Sequence, residues 1–173
     1  MKLLVLISFG LWCGTSFAAP FATKNSVLLN VNDVAPAFSL PLLDSTQEIS
    51  LANYKGKVVY LDFWASWCIP CRRSFPFLNK LRAQYADKGF EIIAINLDQN
   101  PASTEAFLAK YPVSYPIAKG ASDDVANSYN VTAMPTAYLI GKDGTIRSKH
   151  LGFKPSHQDY LEAVVDKLVS EFE

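Results

Sequence analysis

Two cysteines, Cys68 and Cys71, stand two residues apart in the sequence FWASWCIPC, residues 63–71. A pair at this spacing closes a short disulfide, so it interconverts readily between the dithiol and disulfide states. An apolar, strand-like run at 58–61 precedes the pair, and a helix-like run follows it. The first cysteine should therefore face backbone N–H groups at the start of a helix, where the helix dipole favours a thiolate. We interpret the stretch as a redox site.

Other kinds of site use the same Cys-x-x-Cys spacing, but the rest of the sequence disfavours them. A zinc site would need a second pair of ligands, and Cys13 is the only other cysteine in the sequence. A haem attachment needs a histidine after the second cysteine, where this chain has Arg72. A purely structural disulfide this short would restrain little of the chain.

The composition is typical of one globular domain. The chain has 173 residues, half of them hydrophobic, which is enough for a full core. Its 16 basic and 16 acidic side chains balance. A chain this close to neutral gives no indication of nucleic acid or an anionic membrane surface as a partner.

The first 18 residues have the pattern of a secretory signal peptide. Lys2 is followed by an apolar run, and Ser16-Phe17-Ala18 places small residues at the two positions that a signal peptidase reads. We expect cleavage after Ala18, so that residues 1–18 are removed. Residues 19–33 are then predicted to be a flexible lead-in, and 34–173 a single domain.

Two alternatives exist for this N-terminus. The uncharged stretch 3–22 could be an uncleaved membrane anchor, but Pro20 and its polar second half disfavour this. Cys13 could be lipidated, but the bulky Trp12 precedes it. Cleavage would discard Cys13 and leave one close cysteine pair in an exported chain, which suggests a working disulfide rather than a structural one.

The hydrophobic pattern predicts strands and helices in alternation. The predicted strands are 35–40, 48–50, 58–63, 90–97, 136–140 and 145–151, with a loop or short strand in 112–120. The predicted helices are 70–88, 101–110, 122–129 and a last one opened by Ser156-x-x-Asp159 and ending near Phe172. An Asp-Gly turn joins the last two strands. This order predicts an α/β sandwich with a mixed sheet.

The motif, the element order and Met134-Pro135-Thr136 before the last hairpin together resemble the thioredoxin superfamily. The signal peptide, Ala35-Pro36-x-Phe38 and the extra segment near 101–120 are similar to the exported TlpA/ResA-like thiol:disulfide oxidoreductases. The resemblance implies a thioredoxin-like sandwich, with a central mixed β-sheet flanked by helices, an N-terminal β-hairpin and an inserted helical segment.

The resemblance also implies residue roles. Cys68 would be the exposed nucleophile and Cys71 the buried resolving thiol. Pro135 would be a cis-proline that shapes the peptide-binding groove, together with Met134 before it. Trp67 is expected to offer a contact surface over the motif, and Pro70, within the motif, belongs to the same predicted substrate-binding set.

Asp62 is the third predicted catalytic residue, and it matches the buried acid of thioredoxins. It lies on a strand that is otherwise apolar, so burial should raise its pKa and let it exchange a proton with Cys71. The alternative is a solvent-exposed acid at the strand end. Two residues depart from relatives: Ser74 stands where many have a glutamate, and Ala94 lies in the strand where thioredoxins carry a lysine.

We therefore expect an exported, periplasmic protein-disulfide reductase that needs no cofactor beyond the Cys68–Cys71 couple. Its implied partners are protein disulfides and a membrane electron donor, and we expect a monomer. One alternative is a disulfide oxidase or isomerase. Another is a copper-handling protein that uses the same cysteines, with His150 as a further ligand.

Export is expected to remove residues 1–18, because a short apolar core leads into Ser16-Phe17-Ala18. The intact mass of the protein recovered from the exported fraction should correspond to a chain that begins at Ala19. A mass that retains Met1 would contradict this prediction and support the membrane anchor.

Overall fold

The computed structural model describes residues 29–122 and 124–171. The predicted signal peptide, 1–18, and residues 19–28 of the predicted lead-in lie outside this part of the chain. Among the described residues, no helix has the length and apolar character needed to cross a membrane.

A five-stranded mixed sheet forms the centre of the fold, and a small hairpin lies beside it. The strands are β1 (Ser39–Pro41), β2 (Glu48–Ser50), β3 (Val58–Trp64), β4 (Phe90–Asn96), β5 (Ile117–Lys119), β6 (Thr136–Ile140) and β7 (Ile146–Leu151). The order in the large sheet is β5-β4-β3-β6-β7, with β3 parallel to β4 and antiparallel to β6. All residues of β3 are buried, which accounts for its near-continuous apolar run.

The helices of the described chain are α1 (Ile69–Tyr85), α2 (Pro101–Lys110), α3 (Val125–Ser128) and α4 (Gln158–Ser170). The predicted helix 70–88 is α1 followed by a 3₁₀ turn, and Gly89 ends it with φ +81°. The predicted cap by Ser156 is wrong. Pro155 begins a 3₁₀ turn that contains Ser156, and α4 starts after His157 without a side-chain cap.

Each face of the sheet carries its own apolar core. On the face covered by α1 and α4, the rings of Trp64, Phe75 and Phe107 meet with centroids 4.9–5.3 Å apart. On the other face, the Tyr138 hydroxyl donates to the carbonyl of Tyr129. These cores fix the ends of β3 and α1, between which the cysteine pair lies.

The predicted mixed α/β sandwich with a hairpin and an inserted segment is confirmed. The insert consists of α2 and the short edge strand β5. The first strand lies later than predicted, at Ser39–Pro41, where it pairs with β2. Two backbone hydrogen bonds join the end of the lead-in to β7. The N–H of Asn32 donates to the carbonyl of Ile146, and the N–H of Ile146 donates to the carbonyl of Asp33.

Candidate active site

The cysteine pair lies where the central strand β3 leads into α1. The two sulfurs are joined, with an S–S distance of 1.99 Å and a Cα–Cα distance of 5.4 Å. Cys68 is the N-cap residue of α1, and its Sγ accepts a hydrogen bond of 3.3 Å from the N–H of Cys71. That N–H and the helix dipole would stabilise a Cys68 thiolate once the disulfide is reduced.

Cys68 is buried in the oxidised protein, which corrects the expectation of an exposed nucleophile. It is 3 % exposed and Cys71 is fully buried, so Cys68 is only slightly the more accessible of the two. Its sulfur is bonded to Cys71 and turned toward the first turn of α1, which leaves little of it facing solvent. The side chains that do face solvent beside it are Trp67, 65 % exposed, and Ile69. Pro70 follows in the first turn of α1 and is half-buried.

The loop before β6 reaches the same end of the sheet. Thr136 pairs with Phe63 in the register of β6 and β3, so the preceding Pro135 lies level with the strand end that leads to Cys68. The Met134–Pro135 peptide bond is cis, as the resemblance implies. Pro135 is buried and Met134 packs against the core that contains both cysteines. The predicted groove residues thus lie at the active-site end of the sheet.

Asp62 is buried in the middle of β3 and is 1 % exposed. Its side chain lies on the same face of β3 as those of Tyr60 and Trp64, so it faces the core layer that contains the cysteines. The Oδ2 atom has no hydrogen-bond partner among the described residues. This burial raises the pKa of Asp62 to about 7. The predicted burial of Asp62 is confirmed, and the exposed alternative is wrong; proton exchange with Cys71 stays a prediction.

Tyr115 is a second buried polar residue of this layer that the sequence did not single out. Its hydroxyl has no hydrogen-bond partner in the described chain, and its ring packs edge-on against Phe75 at 6.0 Å. Burial and then the charge of Asp62 raise the pKa of the Tyr115 hydroxyl, which therefore stays protonated near neutral pH. Tyr115 precedes Pro116, whose carbonyl bonds to Ala94, the β4 neighbour of Asp62. A tyrosine in a loop gives no sequence signal of this placement.

Asp98 holds the loop that carries the cysteines. Its carboxylate accepts hydrogen bonds of 2.9 Å from both the N–H and the Oγ of Ser66, and others from Asn96 and Thr104. The sequence analysis missed this residue. A signal was present, because Asp98 and Ser66 each stand two residues after one of two parallel strands, whose carboxyl ends meet at one edge of the sheet.

Ser74 and Ala94, the two residues that differ from relatives, place no further charged side chain beside Asp62. Ser74 is buried, and its hydroxyl donates to the carbonyl of Cys71 at 3.1 Å. Ala94 lies directly beside Asp62 in the sheet, so no lysine is present at that position. Within the described residues, no group of three or more His, Cys, Asp or Glu side chains is arranged to hold a metal ion.

Comparison with known proteins decides the family. The redoxin family model matches residues 30–165. The chain belongs to the redoxin family. Two curated relatives are thiol-disulfide oxidoreductases named ResA. The Geobacillus kaustophilus protein is 37 % identical, with 94 % of this chain and 91 % of the relative covered. The Bacillus cereus protein is 32 % identical, with 96 % and 93 % covered.

Solved structures agree with the assignment. A Chlorobium tepidum protein assigned as the thiol:disulfide interchange protein DsbE is 39 % identical to this redoxin, with a TM-score of 0.78. The match covers 82 % of this chain and 99 % of that one. With the close Cys68–Cys71 disulfide, these relatives make this redoxin a thiol-disulfide oxidoreductase.

The two cysteines of this redoxin should not be interchangeable. Cys71→Ser is expected to accumulate mixed disulfides with a peptide disulfide, because Cys68 still attacks and no thiol resolves the product. Cys68→Ser, the matched variant, should accumulate almost none. Non-reducing electrophoresis with mass spectrometry measures the trapped fraction. Equal trapping by both variants would contradict the assignment of attacking and resolving thiols.

Asp62→Asn is expected to slow resolution by Cys71 at neutral pH and above, by at least about 10-fold, since it removes a general base. Rapid-mixing kinetics from pH 5 to 9 measure the rate of resolution. We expect an inflection near pH 7, the pKa of Asp62, in the wild type and none in Asp62→Asn. The control is Asp87→Asn, which changes an exposed carboxylate after α1. Superimposable profiles for Asp62→Asn and wild type would assign Asp62 a structural role only.

Asp62→Asn should also stabilise the oxidised protein at alkaline pH. The pKa of Asp62 in the folded protein, about 7, lies above its ordinary value of 3.8, so the wild type loses stability as pH rises between these values. The asparagine variant avoids this loss, which is on the order of 4 kcal/mol for a shift of this size. Urea unfolding of both proteins at pH 4 and pH 8 measures this loss in the free energy of unfolding. A stability difference between variant and wild type that does not change with pH would contradict the assigned cause.

Proposed function

We propose that this redoxin is an exported reductase of protein disulfides, kept reduced by a dithiol of a membrane protein. The observation that carries the proposal is the buried Asp62, with its pKa of about 7, behind the cysteine pair. An acid tuned near neutral pH can accept and return the proton of Cys71 at every turnover. The predicted signal peptide and the resemblance to exported relatives support the location.

The reaction begins with the reduced pair. The Cys68 thiolate attacks one sulfur of the substrate disulfide and forms a mixed disulfide with it. The S–S bond of the substrate breaks, and its other sulfur leaves and takes a proton. Cys71 gives its proton to the Asp62 carboxylate, and its thiolate attacks the Cys68 sulfur. The substrate sulfur held in the mixed disulfide leaves as a thiolate and takes a proton from solvent. The Cys68–Cys71 disulfide forms, so two electrons have passed to the substrate.

Each part of the site has a role in this reaction. The N–H of Cys71 and the start of α1 favour the attacking thiolate. Met134 and cis-Pro135 lie where a substrate chain would pass beside the sulfur, and Trp67 offers exposed apolar surface next to it. Asp98 keeps the loop through Ser66 in position during exchange. A thiol of another protein must then reduce the disulfide again.

Reduction is favoured over oxidation because the site has thioredoxin-like features, namely the buried acid and the Trp67-Cys68 context. Copper handling has less support, since no group of three or more His, Cys, Asp and Glu side chains in the described chain is arranged around a metal ion. The copper alternative would therefore rest on Cys68 and Cys71, with no third His, Cys, Asp or Glu of the described chain grouped beside them.

The working state in cells tests the direction. Thiols are blocked with acid-quenched alkylation in intact cells, and a mobility-shift gel separates the dithiol from the disulfide. We expect the Cys68–Cys71 pair to be mainly reduced, and to become oxidised when membrane dithiol donors are removed. Cys68→Ser, which should form almost no mixed disulfides, marks the position of a single free thiol on the gel. A pair that is fully oxidised, with oxidation that depends on a membrane oxidase, would contradict the proposal and favour the oxidase.

A further inference from the structure

A cleft of about 260 Å³ opens between the segments that flank the cysteine pair in sequence and the inserted helix α2. One wall comes from the loop before Cys68, through Ser66, and from Arg72, the residue after Cys71. The other wall is α2, in the inserted segment. In the sheet, β4 and β6 lie on opposite sides of β3, and the insert follows β4. The cleft and the Met134–Pro135 loop therefore lie on opposite sides of the cysteine pair.

One face of α2 forms the wall of this cleft. Ser103, Ala106, Phe107 and Lys110 line it and recur at intervals of three and four residues, which is the spacing of a single helix face. Phe107 is buried against Trp64, with ring centroids 5.0 Å apart. The helix that carries Lys110 is thus packed directly on the active-site core, so the cleft has a fixed wall.

The accessible charge in the cleft is positive. Arg72 and Lys110 are both exposed at its edge, and among the described residues neither forms an ion pair. Ser66 and Ser103 also line the cleft, but the Ser66 hydroxyl already donates to Asp98. The two cations and the Ser103 hydroxyl are suited to a carboxylate.

The nearby acids do not cancel this charge from within the cleft. Asp98 lies behind Ser66, and its carboxylate already accepts bonds from Ser66, Asn96 and Thr104. Glu105 is exposed on α2 but falls outside the face that lines the cleft. The charged side chains in the cleft lining are therefore both cations, Arg72 and Lys110, and they lie beside Ala106, Phe107 and Tyr111.

We propose that this cleft binds an acidic side chain of the protein substrate, close in sequence to the cysteine that Cys68 attacks. The proposal rests on the proposed function and adds its substrate class. An extended chain that passes the Met134–Pro135 loop and brings its sulfur to Cys68 continues over the exposed Trp67 toward the cleft. An aspartate or glutamate on that continuation meets Arg72 and Lys110.

The test compares peptide disulfides that differ in one residue next to the cysteine: glutamate, glutamine or lysine. Stopped-flow fluorescence measures the second-order rate constant for the reduced protein at low salt. We expect the glutamate peptide to react about 5-fold faster than the glutamine peptide, the gain that one or two exposed ion pairs provide. The preference should disappear in about 1 M salt, where the Debye length is about 3 Å.

Variants of Lys110 test whether the preference for the glutamate peptide arises in the cleft. Lys110→Gln should reduce the rate of the glutamate peptide relative to the glutamine peptide, and Lys110→Glu should abolish that preference or turn it toward the lysine peptide. Lys80→Gln is the matched control, since Lys80 is an exposed lysine of α1 that lies outside the cleft lining. Lys80→Gln should keep the wild-type preference.

Equal rates for the three peptides on the wild type would overturn the proposal, as would an equal effect of Lys110→Gln and Lys80→Gln. A preference for glutathione disulfide without one for the glutamate peptide would overturn it too, because the cleft would then take a small anionic thiol. These rates do not depend on the direction of exchange in cells. An oxidised pair in cells with the glutamate preference intact would therefore defeat the reductase and leave the cleft assignment standing.

Discussion

The burial of one carboxyl group, that of Asp62, sets the chemistry of this fold. An ionised acid inside a protein is strongly disfavoured unless it is paired, so burial without a partner raises its pKa until it titrates near neutral pH. The sheet makes room for it with small side chains, because Ala94 and Ala137 flank Asp62 on the two neighbouring strands. The fold thereby loses stability as pH rises from about 4 to 7, and in the proposed function it gains a proton acceptor for Cys71.

The position of the cysteines depends on the parallel pairing of β3 and β4. Both strands end at the same edge, so the residues after them can bond to each other, as Ser66 and Asp98 do. The carboxylate fixes the backbone just before Trp67, while Phe75 anchors the helix that begins after Cys68 to the ring of Trp64. The disulfide is therefore held from both sides by rigid elements, and a loop alone would not position it as well.

Features that depend on local pattern could be predicted from the sequence, and those that depend on packing could not. The buried strand around Asp62, the turn at Gly141–Gly144 and the helix after Pro101 follow from hydrophobic period, Asp-Gly and proline placement. The low exposure of Cys68 depends on how its sulfur turns toward α1, which no sequence pattern encodes. The same holds for Tyr115, which reaches the core layer of Asp62 from a loop more than fifty positions later.

In the proposed function and substrate class, proton transfer and recognition of substrate charge belong to separate parts of the site. Burial alone raises the pKa of Asp62, with no contribution from a neighbouring cation, so the acid does not depend on Arg72 or Lys110. Ser74, where many relatives have a glutamate, satisfies its hydroxyl locally and places no negative charge beside the cations. The outer surface can therefore carry positive charge for the substrate while the inner acid keeps its pKa. In a single exposed cluster the two would be coupled, because each cation near a carboxyl lowers that carboxyl's pKa.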